Sequence, residues 1–291
     1  MLHDPTLGDV RVVNGMSVDI EDWFQVGAFE RVIDPADWDA LEPRVERNTH
    51  AVIDLFAEAG VKATFYTLGW VAARYPAMIR RIVAEGHELA SHGWAHARVF
   101  TMNADAFRDD LARARAALED AGGVAVTGYR APSFSIDPRT PWAHRVLAEQ
   151  GYACSSSVAP VRHDHYGWPD APRRAHRPLA DSPLIELPIT TAPFLGKDTP
   201  TGGGFFRLFP AALTHRAIRR CNADDAQPAI FYFHPWEIDP DQPRVADAPL
   251  RSKLRHYSRL GAMRGKLATL LAGHRWGRVD AVAAREAARL A

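Results

Sequence analysis

The chain has 291 residues, 47% of them hydrophobic, so it can bury one large core, and α/β barrels of this size commonly form a single domain. Lysine plus arginine equals aspartate plus glutamate, 35 each, so no net field attracts nucleic acid or an anionic membrane, and we expect neither as a partner. No basic segment followed by an apolar core opens the chain, and no run of about eighteen apolar residues occurs, which predicts a cytoplasmic protein without stable membrane insertion.

Helices and strands alternate through the first half of the chain. Apolar residues recur at helical spacing in four segments, and a glycine ends each segment, as glycine commonly ends helices. A short apolar or β-branched run follows each glycine, which is typical of a strand. Strands joined by helices in this way are parallel, so the pattern predicts an α/β fold with a parallel (β/α) barrel. The predicted helices are residues 43–59, 76–85, 103–122 and 138–150.

Three acidic residues stand where the first strand is predicted to end. The apolar run of residues 10–16 leads into Asp19, Glu21 and Asp22. A carboxylate cluster at the end of a buried strand is costly unless a cation or hydrogen-bond donors lie beside it. We therefore expect such a partner next to these three side chains.

Two histidines follow another short strand. His92 and His96 come after residues 86–90 and are separated by three residues, a spacing at which two imidazoles can bind one divalent metal. The carboxyl ends of parallel barrel strands are where such folds carry their chemistry. Two histidines and one carboxylate are a usual ligand set for catalytic zinc, with one position open for water. On spacing alone, unrelated surface histidines are the alternative, because the chain has 13 histidines.

Two further strand ends carry titratable side chains. Arg130 follows residues 128–129, and His234 follows the aromatic run of residues 230–233. Either could be ordinary by itself, because salt bridges and buried, hydrogen-bonded histidines are common in structural roles. Four strand ends that carry acids, a histidine pair, an arginine and a histidine are much harder to attribute to chance. Together they indicate an active site.

The second half of the chain is less regular. Residues 160–183 have no apolar period, which predicts a long surface excursion rather than a linker, and residues 240–250 form a second excursion. Residues 251–272 predict a basic amphipathic helix with a solvated basic face, inside a helical C-terminal segment of residues 251–291. We assign all of these segments to one domain over residues 1–291.

In this order the four strand-end segments resemble the polysaccharide deacetylase family, carbohydrate esterases of the NodB-homology type. The resemblance extends from about residue 13 to residue 234. Residues 19–25 and 234–237 are similar to the branch of the family found beside exopolysaccharide and exosortase gene clusters. The resemblance implies the distorted, incomplete kind of parallel barrel.

The resemblance also implies an activity: metal-dependent hydrolysis of N-acetyl groups on an amino-sugar-containing exopolysaccharide or its cytoplasmic, lipid-linked precursor. The expected cofactor is a divalent metal, Zn²⁺ first and Co²⁺ as another candidate. The expected partner is a carbohydrate substrate, and the sequence leaves the sugar and the oligomeric state open. The implied roles are metal ligands Asp22, His92 and His96, catalytic base Asp19 with its partner Arg130, and catalytic acid His234.

The acid cluster departs from the common family motif, which has two adjacent aspartates. Here Ile20 and Glu21 separate Asp19 from Asp22, so either Glu21 or Asp22 could be the metal carboxylate. Strand alternation favours Glu21, whereas the shorter side chain favours Asp22 if the strand ends at about Asp19. We predict Asp22.

Four residues are predicted to line a sugar site: Trp94, Pro132, Trp236 and Arg207. Glycines 202–204 are either a flexible turn or a place where the backbone approaches a sugar, with Phe205 or Phe206 as an aromatic platform.

Two other functions stay open on the sequence. A relative of this fold could hydrolyse a small cyclic amide or ureide, as allantoinase-like proteins do. A non-catalytic carbohydrate-binding protein could keep the barrel, although the complete set of strand-end residues argues against it.

Overall fold

Parallel strands and helices alternate along the chain. The computed structural model describes residues 12–163, 166–194, 196–223 and 226–290, so the start of the strand predicted from residue 10 lies outside the described residues. Within this part the strands are β1 (Asn14–Ile20), β2 (Thr64–Thr67), β3 (Glu88–Ser91), β4 (Gly128–Tyr129), β5 (Cys154–Ser155), β6 (Ile185–Glu186), β7 (Thr191–Phe194), β8 (Lys197–Pro200), β9 (Ile230–Phe233) and β10 (Trp276–Gly277). The α-helices are α1 (Val45–Ala59), α2 (Gly69–Arg74), α3 (Pro76–Ala84), α4 (Ala104–Gly122), α5 (Ala143–Glu149), α6 (Gly203–Leu208), α7 (Ala211–Ala223), α8 (Leu250–Tyr257), α9 (Leu260–Gly273) and α10 (Val279–Arg289).

Eight strands form one curled parallel sheet. The hydrogen-bonded path runs β10, β1, β2, β3, β4, β5 and β6, and β9 pairs with β1 along the edge opposite β2. Between β6 and β9 the described backbone makes no ladder, and Thr190 bridges the gap: its amide donates to the Ile230 carbonyl at 3.1 Å, and its hydroxyl accepts from the Ile230 amide at 2.8 Å. The predicted incomplete parallel barrel is confirmed.

Local signals explain where the helices begin and end. The backbone of Gly60 is left-handed (φ 66°) and ends α1, and Gly123 ends α4 in the same way (φ 65°). The Asn103 side chain accepts a hydrogen bond from the Ala106 amide and caps α4. Packing then fixes the helices on the sheet: the ring of Phe56 on α1 lies edge-on to Phe65 of β2 at 6.0 Å.

The C-terminal segment closes the barrel at its amino end. β10 pairs with the start of β1, and the amide at the start of α10 donates to the Thr64 hydroxyl at the start of β2, at 2.7 Å. Val279 and Val282 of α10 are buried against Ile230 and its neighbours inside the barrel. Side chains that carry chemistry therefore have room only at the opposite, carboxyl end of the strands.

Three features of the second half differ from the sequence prediction. The helix predicted over residues 251–272 is two helices, because Arg259 adopts a left-handed conformation (φ 60°) and the Ser258 carbonyl accepts a hydrogen bond from the buried Arg207 guanidinium. The antiparallel hairpin β7–β8 was not predicted. The glycine-rich segment 202–204 enters α6 instead of forming a free turn.

None of the helices in the described ranges combines the length and apolar composition that a bilayer crossing requires.

Candidate active site

The carboxyl ends of β1, β3, β4 and β9 bring together the residues that the sequence singled out. β1 lies between β2 and β9, with Ile20 opposite Thr67 and Val18 opposite Phe233. Neighbouring parallel strands end at the same edge, so residues far apart in sequence meet there. The resulting site has three parts: a ligand group, a carboxylate and arginine pair, and a histidine.

The ligand group consists of Glu21, His92 and His96, whose candidate ligand atoms all lie within 4.8 Å of one another. Nδ1 of His92 lies 2.8 Å from the Arg130 carbonyl oxygen, so this nitrogen donates and Nε2 is left as the ligand atom. Oε2 of Glu21 lies 2.7 Å from Nε2 of His96, yet it is a buried atom without a hydrogen-bond partner among the described residues. A carboxylate oxygen, which can only accept, and two imidazole nitrogens converge on one point here, and such a set of ligand atoms fits a divalent metal ion.

Charge acts on the ligand group as a metal site requires. Burial opposes ionisation of Glu21, but His96 and His234 outweigh it and lower its pKa to about 2. Burial lowers the pKa of His92 to about 4. Both groups are therefore in the deprotonated form that binds metal near neutral pH.

The loop that carries the histidines is tightly held. His96 has a left-handed backbone (φ 58°), which is uncommon for a residue other than glycine and concentrates at functional sites. A Cβ on Gly93 would lie 2.8 Å from a carboxylate oxygen of Asp110, and Asp110 accepts from the Trp94 amide at 3.1 Å. The amide of Gly69 donates to the Gly93 carbonyl at 2.9 Å. Helices α2 and α4 thus fix the loop in place.

The geometry corrects the assignment of the metal carboxylate to Asp22. One oxygen of Asp22 accepts from the Trp23 amide at 2.8 Å, and the other accepts from the amides of Arg44 and Val45 at 2.8 and 3.0 Å. Asp22 therefore binds the amino end of α1, where unpaired amides attract an anion. β1 ends at Ile20, and the Glu21 amide donates to the Asp19 carbonyl at 3.1 Å, so the chain turns at this point and the Asp22 side chain reaches the amides of α1 while Glu21 faces the two histidines.

Asp19 and Arg130 form a fully buried ion pair. Nη1 of Arg130 lies 2.6 Å from Oδ1 of Asp19, and the two side chains are 0 and 3% exposed. The other donors of Arg130 bind the Ser17 hydroxyl at 2.8 Å and both the carbonyl and the hydroxyl of Ser156, at 3.0 and 2.9 Å. These bonds hold Arg130 in one position, so the carboxylate of Asp19 is held as well.

His234 is held by a second buried ion pair. Its Nδ1 lies 3.1 Å from Oε2 of Glu237, and Oε1 of Glu237 accepts from Nε of Arg207 at 3.0 Å. Nε2 of His234 faces the ligand group, 3.6 Å from Oε1 of Glu21. Burial alone would lower the pKa of His234, but Glu21 and Glu237 raise it to about 9. The imidazole is thus protonated near neutral pH, and its Nε2 can donate a proton.

Two family models match the chain side by side. Residues 37–154 match the model described as polysaccharide deacetylase, and residues 156–284 match a domain of unknown function, DUF3473. The chain contains a polysaccharide deacetylase domain. The resemblance seen in the sequence is therefore confirmed at the level of the family, and His234, Glu237 and Arg207 lie in the second match.

Curated relatives agree with this assignment. The chain is 36% identical over 92 residues to a chitin deacetylase from Pestalotiopsis sp., a segment that covers 31% of this chain and 31% of that protein. It is 30% identical over 133 residues to a chitooligosaccharide deacetylase from Bradyrhizobium sp. (strain ANU 289), covering 46% of this chain and 55% of that protein. Less than two thirds of each relative is covered.

A solved structure matches over the whole length. The fold is similar to that of a candidate polysaccharide deacetylase from Mycobacterium smegmatis, with a TM-score of 0.63 and 21% identity over 100% of this chain and 94% of the other. At this identity the likeness shows the fold alone.

Two of the predicted sugar contacts are buried within the candidate site. Arg207 is 1% exposed and donates to Glu237 and to the Arg255 carbonyl, so it cannot reach a substrate. Trp236 is 7% exposed, stacks on His234 and on His256 at 5.3 and 4.2 Å, and donates from Nε1 to Glu21 at 3.2 Å. The ring therefore orients the carboxylate of Glu21 and has little face left for a sugar.

The other two predicted contacts flank the histidine loop. The ring of Trp94 packs where a Cβ on Gly69 would meet it at 2.6 Å, and the guanidinium carbon of Arg113 lies 3.6 Å from the centroid of the ring. Trp94 thus has a packing role between α2 and α4. Pro132 is buried beside Gly93, and its contact with a sugar stays a prediction.

Sequence reasoning missed Glu237, Ser17 and Ser156 as supports of the site. Glu237 carried a signal, because a carboxylate three residues after His234 at a strand end can return to it. Ser17 lies two residues before Asp19 and shares its face of β1. Nothing local marks Ser156, whose partner Arg130 is 26 residues away.

Proposed function

We propose that this protein is a divalent-metal-dependent deacetylase that hydrolyses N-acetyl groups of an amino sugar in an exopolysaccharide or its cytoplasmic precursor. The observation that carries the proposal is the ligand group of Glu21, His92 and His96 beside the Asp19–Arg130 pair and His234. Hydrolysis of an amide needs a nucleophile, a polarised carbonyl and a proton for the leaving nitrogen. These three groups can meet those needs at one place.

Glu21, His92 and His96 would hold the metal. A bound divalent ion supplies Lewis acidity, which makes water a better nucleophile and polarises the acetyl carbonyl. The hydrogen bond from Trp236 to Glu21 and the one from His92 to the Arg130 carbonyl orient two of the ligands. Zn²⁺ suits this set of ligands, and Co²⁺ is a second candidate.

Asp19 would be the base. Its carboxylate accepts the proton of the attacking water as the oxygen adds to the acetyl carbon. Arg130 keeps that carboxylate in place, and the pair is fully buried, so competing solvent is excluded.

His234 would be the acid. Its Nε2 donates the proton that the sugar nitrogen takes up as the carbon–nitrogen bond breaks, which releases acetate and a free amine. Glu237 accepts from Nδ1 and so keeps the opposite nitrogen, Nε2, directed at the site. Arg207 in turn holds Glu237.

The test is acetate release from a panel of N-acetylated oligosaccharides, with allantoin in the same panel. We expect acetate from at least one saccharide, loss of release after chelation, and recovery with Zn²⁺ or Co²⁺. Hydrolysis of allantoin without acetate release would contradict the proposal and favour a small cyclic amide. Tight saccharide binding without hydrolysis, in the metal-loaded protein, would instead favour a non-catalytic binding protein.

The cytoplasmic location stays a prediction from the sequence. Fractionation of cells that produce the full chain, with activity followed in each fraction, tests it.

A further inference from the structure

A cavity of about 240 Å³ lies outside the ligand group, between the hairpin β7–β8 and helices α6 and α7. Three phenylalanines line it: Phe194 from the hairpin, Phe205 from α6 and Phe209 just beyond α6. The rings of Phe205 and Phe209 are nearly parallel at 6.1 Å, and those of Phe194 and Phe209 are 4.5 Å apart. All three side chains are half-buried, and Leu213 on the rim is 40% exposed. The cavity therefore offers ring surface to a ligand.

Phe205 and Phe206 are neighbours in sequence but have different surroundings. The side chain of Phe206 is 1% exposed and packs edge-on against Phe231, with 5.1 Å between the ring centroids, so Phe206 belongs to the core. Phe205 faces the cavity instead. Of the two platforms that the sequence allowed, only Phe205 is available.

A row of contacting rings links the cavity to the catalytic pair. The ring centroids of Phe205 and His163 are 6.4 Å apart, and the rings of His163 and Tyr166 are stacked with their centroids 4.3 Å apart. Tyr166 contacts Phe134 at 5.9 Å, and the ring of Phe134 lies 5.4 Å from the guanidinium carbon of Arg130. Phe134 and Arg130 are 5 and 0% exposed, so this row is a packed layer that fixes the wall of the cavity relative to the active site.

The glycine-rich segment holds this arrangement together. A Cβ on Gly202 would lie 2.4 Å from the Tyr232 carbonyl oxygen, and one on Gly203 would lie 2.9 Å from the Tyr232 ring. Only glycine allows α6 to approach β9 this closely, two residues before His234. The position of Phe205 is therefore set by the same strand that carries the proposed acid.

The size and the lining of the cavity favour a sugar ring. The volume is below the range of about 300–1,000 Å³ that holds drug-sized ligands, so one ring fits and a long lipid chain does not. Aromatic faces pack on the apolar CH face of a pyranose. Thr199 and Arg216 lie at the same cavity and offer hydrogen-bonding groups to hydroxyls.

We propose that this cavity is a distal carbohydrate subsite, which binds a sugar unit of the chain remote from the unit being deacetylated. The inference rests on the proposed function and deepens it, because it makes the substrate an oligosaccharide or polymer and not a monosaccharide. Stacking at the cavity stabilises the complex only when the chain is long enough to reach Phe209 from the active site.

The experiment compares a dimer and a hexamer of N-acetylglucosamine on variants of the full chain. Phe209→Leu keeps an apolar side chain and removes the ring face. We expect it to lower kcat/KM for the hexamer about tenfold while kcat/KM for the dimer stays within about twofold. Leu254→Ala, which changes a 60% exposed leucine on α8, is the matched control and should leave both values unchanged. Equal loss for dimer and hexamer, or no loss for either, would overturn the proposal.

Binding separates this proposal from the proposed function. In the Asp19→Asn background, which cannot consume the ligand by the proposed route, hexamer affinity is measured by calorimetry with and without Phe209→Leu. A tenfold weaker affinity supports the subsite even if no saccharide releases acetate, whereas equal affinities, or no hexamer binding at all, overturn it. If thermal melting shows that Phe209→Leu is unfolded, Phe194→Leu on the hairpin replaces it, with the same outcomes.

Discussion

The two sequence halves contribute to the site in different ways. Residues up to 155 supply the ligand group and the Asp19–Arg130 pair, each within two residues of a strand end or in the loop directly after it. Residues after 155 supply His234, whose position depends on a chain of side chains through Glu237 to Arg207. Strand register places the backbone on both sides, since His234 directly follows β9, but the orientation of the His234 imidazole also depends on the buried Glu237–Arg207 ion pair. The acid side can therefore be changed by side chains that are remote from the sheet.

The largest effect is expected from substitution of the metal carboxylate, which tests the metal side of the site directly. Glu21→Gln replaces an anionic ligand with a neutral one, so we expect loss of most bound metal and of acetate release. Asp22→Asn should keep the metal and destabilise the fold by about 1 kcal/mol, because it weakens the anchor at the amino end of α1. Metal analysis of both purified variants decides whether Glu21 or Asp22 is the metal ligand. Metal loss from Asp22→Asn together with retention in Glu21→Gln would return the ligand role to Asp22.

The base should be separable from the metal. Asp19→Asn is expected to lower kcat by about 10²–10⁴ while the metal stays bound, since the proposed role of Asp19 is proton transfer. The change leaves Arg130 buried beside a neutral amide, so some loss of the free energy of unfolding accompanies it. Urea unfolding measures that loss, and metal content is followed on the same sample. A variant that keeps the wild-type rate would remove Asp19 from the mechanism.

A smaller effect is expected on the acid side, from a residue that cannot touch the substrate. Arg207→Met removes the partner of Glu237, so we expect kcat to fall about tenfold with unchanged KM and full metal content, through misorientation of His234. Arg207→Lys keeps the charge but loses the forked geometry and should recover part of the rate. A change in KM alone would instead indicate that Arg207 contacts substrate.

The last expected effect is on stability and not on rate, and it concerns the acid side at low pH. Burial lowers the pKa of His256 to about 3, whereas in the unfolded chain the residue has the ordinary histidine pKa of 6.5. Between these values the unfolded chain binds more protons, so stability falls as pH falls, by about 2 kcal/mol between pH 7 and pH 5 from this group. His256→Phe keeps a ring against Trp236 and removes the titration.

Urea unfolding of the chelated proteins at the two pH values checks this expectation. His87, whose pKa burial lowers to about 4, contributes to acid sensitivity in both proteins and cancels in the comparison. The variant should therefore lose about 2 kcal/mol less than the wild type. Equal losses would show that His256 is not buried in the neutral form.

Much of this site could be predicted because its signals are local. Glycine punctuation and apolar periodicity predicted α1, α3 and α4 close to their observed ends, and the strands between them follow from the same pattern. Parallel strands bring their carboxyl ends to one edge, so Asp19, His92, Arg130 and His234 were expected to meet without knowledge of any contact. The confirmed barrel therefore follows from features that each lie within a few residues.

The tertiary structure alone decided which polar groups face the site. Glu21 and Asp22 are adjacent carboxylates, and only the observed end of β1 and the amides of α1 show that Asp22 has another partner. Arg207 looked like a substrate contact because its sequence neighbours are glycines and aromatics, but long-range packing buries it beside Glu237. Periodicity and strand ends are encoded locally, whereas burial and pairing depend on residues that are distant in the chain, and no local pattern determines them.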